Sequence, residues 1–342
     1  MTPSGNRSTR DGDFWLKSMD LSIILVNYNT KDFLRRCLGS VYGETRDIQF
    51  EVIVVDNASS DGSVEMLARE FPDVRRLENA TNRGFAAANN QGIVSSKGDL
   101  VLLLNTDTVI LGGAIQKTVR FMQAHPEAGI AGCKLVYPDY RHQRSVGTFP
   151  SLLDGFLGSS FLYLLLPPDT LVRQRSIIHF DYDSDGEADW VTGAFLLVRR
   201  GVLDRIGLLD EQFYVYSEEV DFCRRAKEAG FRVWYTASAT VIHAWNGMSA
   251  ASRRSLLWTL VSQMLYFKKH HRGAEQLCLI LLKYLGLAAR VVVYFFAGIL
   301  TFNKRMIAKS VDSAYVMYRL LTTRSEYRHN SAGEVIPWTS IW

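Results

Sequence analysis

Runs of branched apolar residues alternate with segments of helical periodicity in the first half of the chain. Leu21–Asn27 and Glu51–Asp56 are typical of strands buried on both faces of a sheet. Apolar residues at helical spacing follow the first run, over Lys31–Tyr42. The same reasoning predicts strands over 74–78 and up to Asn105, and helices through Leu67, over 86–95 and over 113–124. This alternation predicts an α/β fold with a mainly parallel sheet.

The second half is less regular. Residues 138–188 carry Pro, Gly, Asp and aromatic residues without long periodicity. The pattern then predicts one strand over Ala188–Arg199, a helix over Glu218–Ala229, and two short strands over Phe231–Tyr235 and Thr240–His243. Beyond Ser252 it is helical throughout. The expected organisation is a flexible leader (1–19), an α/β domain (20–250, divided near 137), a helical extension (251–325) and a tail (326–342).

The part of the chain before residue 251 and the part after it differ in net charge. From residue 251 onward there are thirteen basic and four acidic residues, whereas the preceding part has 26 basic and 31 acidic ones. A basic extension rich in aromatic residues predicts contact with an anionic membrane surface. Its uncharged run Val291–Asn303 has thirteen residues, fewer than the roughly 20 of a membrane span, so helices lying in the interface are expected. The alternative is that these helices pack on the α/β domain or in a dimer.

The cysteines and the first residues indicate a cytoplasmic protein. The four cysteines are far apart and form no CxxC pair, which favours buried thiols in a reducing compartment over disulfides or a zinc site. The first eighteen residues lack the apolar core of a signal peptide.

The strand that ends at Asn105 leads directly into Thr106 and Asp107. Ligands of open α/β sheets bind beyond the carboxyl ends of the strands. A carboxylate there is a natural ligand for Mg²⁺ or Mn²⁺, which also hold substrate phosphates. The alternative is that Asp107 caps the following helix.

Other polar residues near strand ends or helix starts are also candidates for ligand binding, and each could instead have a structural role. Asp56 also ends a buried strand, but no GxGxxG follows the first strand, which argues against a dinucleotide fold. Arg83 precedes a helix and could meet phosphate, or could simply lie on the surface. His243 ends a late strand, and a lone histidine is more often structural than a ligand.

The carboxylates Glu218, Glu219 and Asp221 open one helix. They would favour a helix N-terminus electrostatically in any protein, and Asp221 is spaced to pair with Arg225. No Ser–His–Asp arrangement and no P-loop competes with these groups for the chemistry.

The ordered set of motifs resembles family 2 glycosyltransferases of the GT-A fold, and within them the rhamnosyltransferase-like branch. The motifs that carry the resemblance are Ile24–Asn29 (ILVNYN), Val55–Gly62 (VDNASSDG), Asn82–Asn90 (NRGFAAANN), Leu104–Thr108 (LNTDT), Trp190–Ala194 (WVTGA), Gly207–Glu211 (GLLDE), Glu218–Asp221 with Arg225, and Val241–His243 (VIH). Together they span about residues 20–250.

The resemblance implies a role for each candidate residue. Nucleoside and donor binding would fall to Val26, Tyr28, Asp56, Arg83, Asn105 and Thr106; metal binding to Asp107 and His243; and the acceptor side to Trp190, Gly193 and Ala194. Glu219 falls at the position of the catalytic base, with Glu218 and Asp221 as rivals. Asn105 replaces an acidic residue of the family's metal triplet, and Glu219 replaces the more usual Asp.

The implied reaction is inverting, Mg²⁺- or Mn²⁺-dependent transfer of a sugar, with rhamnose as the expected one, from a nucleotide-diphospho-sugar. The acceptor would be a hydroxyl of a glycan or lipid-linked saccharide in cell-surface polysaccharide synthesis. The enzyme would lie at the inner face of the cell membrane, and no nucleic-acid partner is expected. The alternatives are an inactive sugar-nucleotide-binding or scaffold protein and a nucleotidyltransferase, although the Gly-rich loop that the latter requires after the first strand is not found.

Overall fold

The computed structural model describes residues 20–152, 180–244 and 253–322. The expected leader and tail, and most of the irregular segment 138–188, lie outside these residues. The strands are β1 (Leu21–Asn27), β2 (Phe50–Asp56), β3 (Arg75–Glu78), β4 (Leu100–Asn105), β5 (Thr108–Leu111), β6 (Ala128–Val136), β7 (His142–Gln143), β8 (Val146–Gly147), β9 (Gly186–Glu187), β10 (Trp190–Val191), β11 (Phe195–Arg199) and β12 (Arg232–His243). The helices are α1 (Lys31–Glu44), α2 (Ser63–Glu70), α3 (Phe85–Ser95), α4 (Ala114–Ala124), α5 (Arg200–Ile206), α6 (Glu218–Glu228), α7 (Arg253–His270), α8 (Gly273–Leu300) and α9 (Lys304–Thr322).

One mixed sheet organises the α/β part. Its order is β3-β2-β1-β4-β11-β6-β12-β5, with β7 and β9 added beside it. The strands β1, β2, β3 and β4 are parallel, β11 runs antiparallel to β4 and β6, and β5 runs antiparallel to β12. The predicted mainly parallel α/β fold is therefore confirmed. The strands β1, β2 and β4 are almost fully buried, as their unbroken apolar runs predicted.

The sequence pattern missed the two-residue strands β7 and β9 and two longer strands of this sheet, β5 and β6. The strand β6 contains Gly129 and Gly132, which break the apolar pattern. A Cβ at Gly129 would lie 2.7 Å from the Phe231 side chain, and one at Gly132 would lie 2.7 Å from Val191. Both positions are glycine because neighbouring side chains occupy the space that a Cβ would need. The two glycines interrupt the apolar run, so hydrophobicity alone does not reveal the strand.

Two predictions of element boundaries are wrong. The expected single strand over Ala188–Arg199 is two strands, β10 and β11, separated at residues 192–194. Conversely, the two short strands expected over 231–235 and 240–243 form the single strand β12. Its register against β6 shifts between Thr236 and Thr240, and this irregularity produces the apparent interruption.

The three C-terminal helices pack on one another, and Tyr266, Phe267 and Leu279 also pack with Phe213 and Val220 of the α/β part. Leu257, Leu260 and Val261 of α7 pack with Leu287 of α8 and Val316 of α9. The helix α8 runs without a break past Lys283 and Arg290, which corrects the expectation of a short apolar run. Within the described residues it is the one helix that is long and apolar enough to cross a membrane, judged by length and composition alone.

Candidate active site

The sheet brings the ends of several strands to one edge. Asn27 and Asp56 are register partners at the carboxyl ends of β1 and β2, and Val26 is opposite Asn105 of β4. The reversed strand β11 begins at this edge, where the Asn105 backbone N–H donates to the Ala194 carbonyl at 3.1 Å. Strand β12 ends there too, with His243 opposite Thr108.

A cavity of about 570 Å³ opens at this edge. Its lining includes ten of the residues predicted from the sequence: Val26, Tyr28, Asn105, Thr106, Asp107, Gly193, Ala194, Glu218, Glu219 and His243. Segments from five strand ends and one helix N-terminus therefore meet in one place. This is the region where an open α/β sheet binds its ligand.

Hydrogen bonds between loops fix the sheet side of the cavity. The Thr30 hydroxyl donates to Asn27 Oδ1 at 2.7 Å and lies 2.9 Å from the Thr106 hydroxyl. Asn57 Nδ2 donates to the Gly84 carbonyl at 3.1 Å. Thr30, Asn57 and Gly84 also line the cavity. The loop after β1 is thus bonded to the loop after β4, and the loop after β2 is bonded to the segment before α3.

Asp107 and His243 form a buried pair in the cavity wall. The distance between Asp107 Oδ1 and His243 Nε2 is 3.3 Å, and Asn105 Nδ2 lies 3.4 Å from the same nitrogen. His243 Nδ1 lies 2.8 Å from Gln143 Oε1, an acceptor that favours a proton on Nδ1. The Nε2 atom, which faces the Asp107 carboxylate, is then the ring nitrogen that could bind a metal ion. The donor set suits Mg²⁺ or Mn²⁺, which commonly take few protein ligands and complete their coordination with substrate oxygens.

Glu218 and Glu219 begin helix α6 and are largely withdrawn from water. Glu218 Oε2 and Glu219 Oε2 are both buried, and neither finds a hydrogen-bond partner among the described residues. Burial raises the pKa of Glu219, while backbone N–H groups at the helix start act in the opposite direction. Burial and the neighbouring Glu219 raise the pKa of Glu218 well above its usual value. A carboxylate oxygen without a hydrogen-bond partner is available to accept a proton from a ligand.

Asp221, on the same helix, has a different environment. Its carboxylate is fully buried and accepts hydrogen bonds from Arg225 at 2.8 Å and from His270 at 2.7 Å, and Lys269 forms an ion pair with it at 2.8 Å. Despite burial, these partners lower the pKa of Asp221 to about 2. The predicted pairing with Arg225 is present, and Asp221 does not line the cavity. Its position therefore disfavours it as a base.

Three other predicted site residues do not line the cavity. Asp56 is buried and bound within its own loop, where its carboxylate accepts from Asn27 Nδ2 and from the Ser59 backbone N–H, both at 2.8 Å. Arg83 is exposed. The Trp190 indole covers the Gly147 backbone, and its Nε1 donates to the Thr148 carbonyl at 2.9 Å. Their expected contacts with donor or acceptor remain predictions.

Sequence reasoning missed one wall of the cavity. Tyr214, Val215 and Tyr216 contribute to it from the loop before α6, and Arg254 and Trp258 contribute from α7 in the helical extension. The only signal in the sequence was the four-residue spacing of Arg254 and Trp258, which places them on one helix face. The extension is therefore part of the site.

The family described as "Glycosyl transferase family 2" matches residues 22–184, which include the strand ends β1, β2 and β4. Residues 22–184 thus form a family 2 glycosyltransferase domain. The protein is a glycosyltransferase, and its rhamnosyltransferase-like character is supported by its relatives.

An N-acetylglucosaminyl-diphospho-decaprenol L-rhamnosyltransferase of Mycobacterium tuberculosis is 28% identical over 65% of this chain and 75% of its own length. The rhamnosyltransferase WbbL of Escherichia coli is 25% identical over 72% of this chain and 92% of its own. Among solved structures, the mannosyltransferase PcManGT from Pyrobaculum calidifontis, in complex with GDP-Man and Mn²⁺, has a TM-score of 0.54 at 17% identity. It covers 91% of this chain and 89% of its own, which confirms the GT-A fold.

Proposed function

We propose that this glycosyltransferase transfers a deoxyhexose, with rhamnose as the first candidate, from a nucleotide-diphospho-sugar to a hydroxyl of a glycan or lipid-linked saccharide, with inversion at the anomeric carbon. The observation that carries the proposal is that Asp107 with His243 and Glu219, one of whose carboxylate oxygens has no hydrogen-bond partner among the described residues, line the same cavity. The sugar is inferred from the rhamnosyltransferases among the relatives.

The donor would lie along the sheet edge. Val26 and Tyr28 would contact the nucleoside, and Asn105 and Thr106 would lie beside the diphosphate. Asp107 and His243 would hold Mg²⁺ or Mn²⁺. That ion, when bound, offsets the charge that develops on the departing nucleoside diphosphate. Gln143 holds the His243 ring in the orientation that this binding requires.

Glu219 would remove the proton from the acceptor hydroxyl. That oxygen attacks the anomeric carbon from the face opposite the leaving diphosphate, so the sugar–phosphate bond breaks as the new glycosidic bond forms. A general base works best when its pKa is close to the working pH, and the raised pKa of Glu219 moves it in that direction. Gly193 lies next to it, since a Cβ at Gly193 would be 3.8 Å from the Glu219 Cβ.

Helices α8 and α9 would attach the enzyme to the cytoplasmic leaflet of an anionic membrane. Only 17% of the most apolar stretch of α8 is buried, so most of this surface faces outward. Phe296 and Leu300 are exposed near its end, and the exposed Lys304, Arg305 and Lys309 follow at once in α9. Exposed apolar side chains beside basic ones favour an anionic bilayer surface.

Flotation with anionic liposomes tests this attachment. Truncation near Ala251 would remove the α7 wall of the cavity, so the comparison uses the full chain and the double variant Phe296→Glu, Leu300→Glu. Wild-type protein should float at low salt and the variant should not. Equal flotation of the two, or none by the wild type, would contradict attachment by this surface.

A donor screen tests the transferase assignment itself. Thermal shift is measured with dTDP-, UDP- and GDP-sugars, with Mn²⁺ and with EDTA. We expect the largest stabilisation with dTDP-rhamnose and Mn²⁺, and a much smaller one in EDTA. A preference for UDP-hexoses would refute the sugar and leave the mechanism intact, whereas equal shifts in EDTA would refute the role of the metal.

A further inference from the structure

An aromatic pair lies in the wall contributed by the helical extension. The ring centroids of Tyr214 and Trp258 are 4.5 Å apart, and the ring planes are inclined by 20°, which is a stacked arrangement. Both side chains line the cavity that contains Glu219. The other lining groups include several hydroxyls, amides and carboxylates. The cavity thus combines apolar and polar groups, and the pair contributes its aromatic surface, with Trp258 6% exposed.

Tyr214 connects this surface to the donor side. Its carbonyl accepts a hydrogen bond from the Phe85 backbone N–H at 2.7 Å. A Cβ at Gly84 would lie 2.6 Å from both the Tyr214 ring and its carbonyl oxygen, so only glycine permits this approach. Since Asn57 holds the Gly84 carbonyl, Tyr214 is packed directly against a loop fixed by the sheet edge.

Helix α7 is tied to the segment that carries Glu219. Near its start, the Ser255 hydroxyl lies 3.2 Å from the Tyr216 hydroxyl, and Ser262 donates to the Val215 carbonyl at 2.8 Å. At its end, Lys269 and His270 contact the buried Asp221. These contacts at both ends of α7 hold Trp258 in a defined position relative to Glu219.

We propose that Tyr214 and Trp258 form the acceptor subsite, in which a pyranose ring packs its apolar face on the aromatic pair and presents a hydroxyl to Glu219. This inference rests on the proposed function and extends it by assigning acceptor recognition to a residue of the helical extension. Stacked aromatic side chains offer a rigid apolar surface, and the polar groups around them satisfy the sugar hydroxyls. Trp258 is accordingly a specificity-determining residue.

The test compares Trp258→Leu, Trp258→Phe and the control Thr259→Ala, which changes a residue of the same helix outside the cavity lining. The donor Kd is measured by calorimetry with dTDP-rhamnose and Mn²⁺. The KM for acceptor is measured with octyl glycosides of glucose, galactose, mannose, rhamnose and N-acetylglucosamine. We expect Trp258→Leu to raise the acceptor KM by about tenfold, with the donor Kd within about twofold of wild type. Trp258→Phe should recover most of the affinity.

The outcomes separate this inference from the proposed function. If wild-type protein binds no nucleotide sugar, the proposed function fails. If it binds the donor and none of the glycosides is an acceptor, or if Trp258→Leu leaves the acceptor KM unchanged, the acceptor subsite is refuted. An equal loss of donor and acceptor affinity in Trp258→Leu and Trp258→Phe would show a structural role instead. If Trp258→Leu does not fold, the donor Kd and the acceptor KM are measured for Tyr214→Leu instead.

Discussion

The two sides of the cavity are built in different ways. The proposed donor side consists of consecutive strand ends and the loops that follow them, all within residues 26–107 and completed by His243. The proposed acceptor side combines residues 192–194, the loop 214–216, the start of α6 and the helix α7. The order and register of the strands therefore determine the proposed donor side. The proposed acceptor side depends instead on contacts between segments distant in sequence, such as Lys269 with Asp221. Acceptor specificity can change with little effect on the sheet.

The largest expected effect is at the centre of the acceptor side. Glu219→Gln should lower kcat by about 10²–10⁴-fold, because general-base catalysis supplies rate enhancements of that order. The rate of the wild-type enzyme should rise with pH through a pKa above the ordinary value for Glu, since burial raises the pKa of Glu219 and the base must be ionised to act. Steady-state rates across pH check both points. A variant that retains full turnover would contradict the assignment.

Asp221→Asn should act on stability rather than on chemistry. Removing one member of a buried ion pair typically costs about 3–5 kcal/mol, and here it also removes one of the links between α6 and α7. The low pKa of Asp221 means that its ionised form stabilises the fold, so this contribution should be lost as pH falls towards about 2. Urea denaturation measures the loss. A stable but inactive Asp221→Asn enzyme would make Asp221 the base and displace Glu219.

Gln143→Leu should weaken metal binding by about 10–100-fold, because the partner of a metal-binding histidine fixes the orientation of its ring. Activity should recover as the Mn²⁺ concentration is raised, which a direct role in catalysis would not allow. A Mn²⁺ titration of the transfer rate gives the measurement. If the concentration for half-activity matches wild type, His243 is not a ligand.

Glu218→Gln should have the smallest effect, and its sign depends on pH. Because the pKa of Glu218 is raised in the folded state, its protonated form contributes stability that is present at pH 4 and is lost as pH rises through that pKa. Glutamine is not subject to this loss. The variant should therefore match wild-type Tm at pH 4 and exceed it by about 2–4 °C at pH 8. A lower Tm for the variant at pH 8 would contradict the buried, unpartnered state of this side chain.

The same contrast explains how much could be predicted from the sequence. The strands β1, β2 and β4 are continuous apolar runs that end in polar residues, so both the elements and the site residues Asn105, Thr106 and Asp107 follow from local pattern. The local pattern does not predict the break between β10 and β11 at residues 192–194 or the contribution of Trp258 to the cavity. They depend on packing between segments distant in sequence, such as Tyr214 against Gly84 and Trp258. The family resemblance supplied Glu219, whereas the environment that distinguishes it from Asp221 is visible only in the structure.

The division between the two sides can be tested in one experiment, a calorimetric titration of Asp107→Asn and Glu219→Gln with dTDP-rhamnose in the presence of Mn²⁺. This division predicts that Glu219→Gln keeps the wild-type donor Kd within about twofold. It also predicts that Asp107→Asn weakens donor binding by tenfold or more, because the metal–phosphate contact contributes several kcal/mol. Unimpaired donor binding by Asp107→Asn, or loss of donor binding by Glu219→Gln, would contradict it.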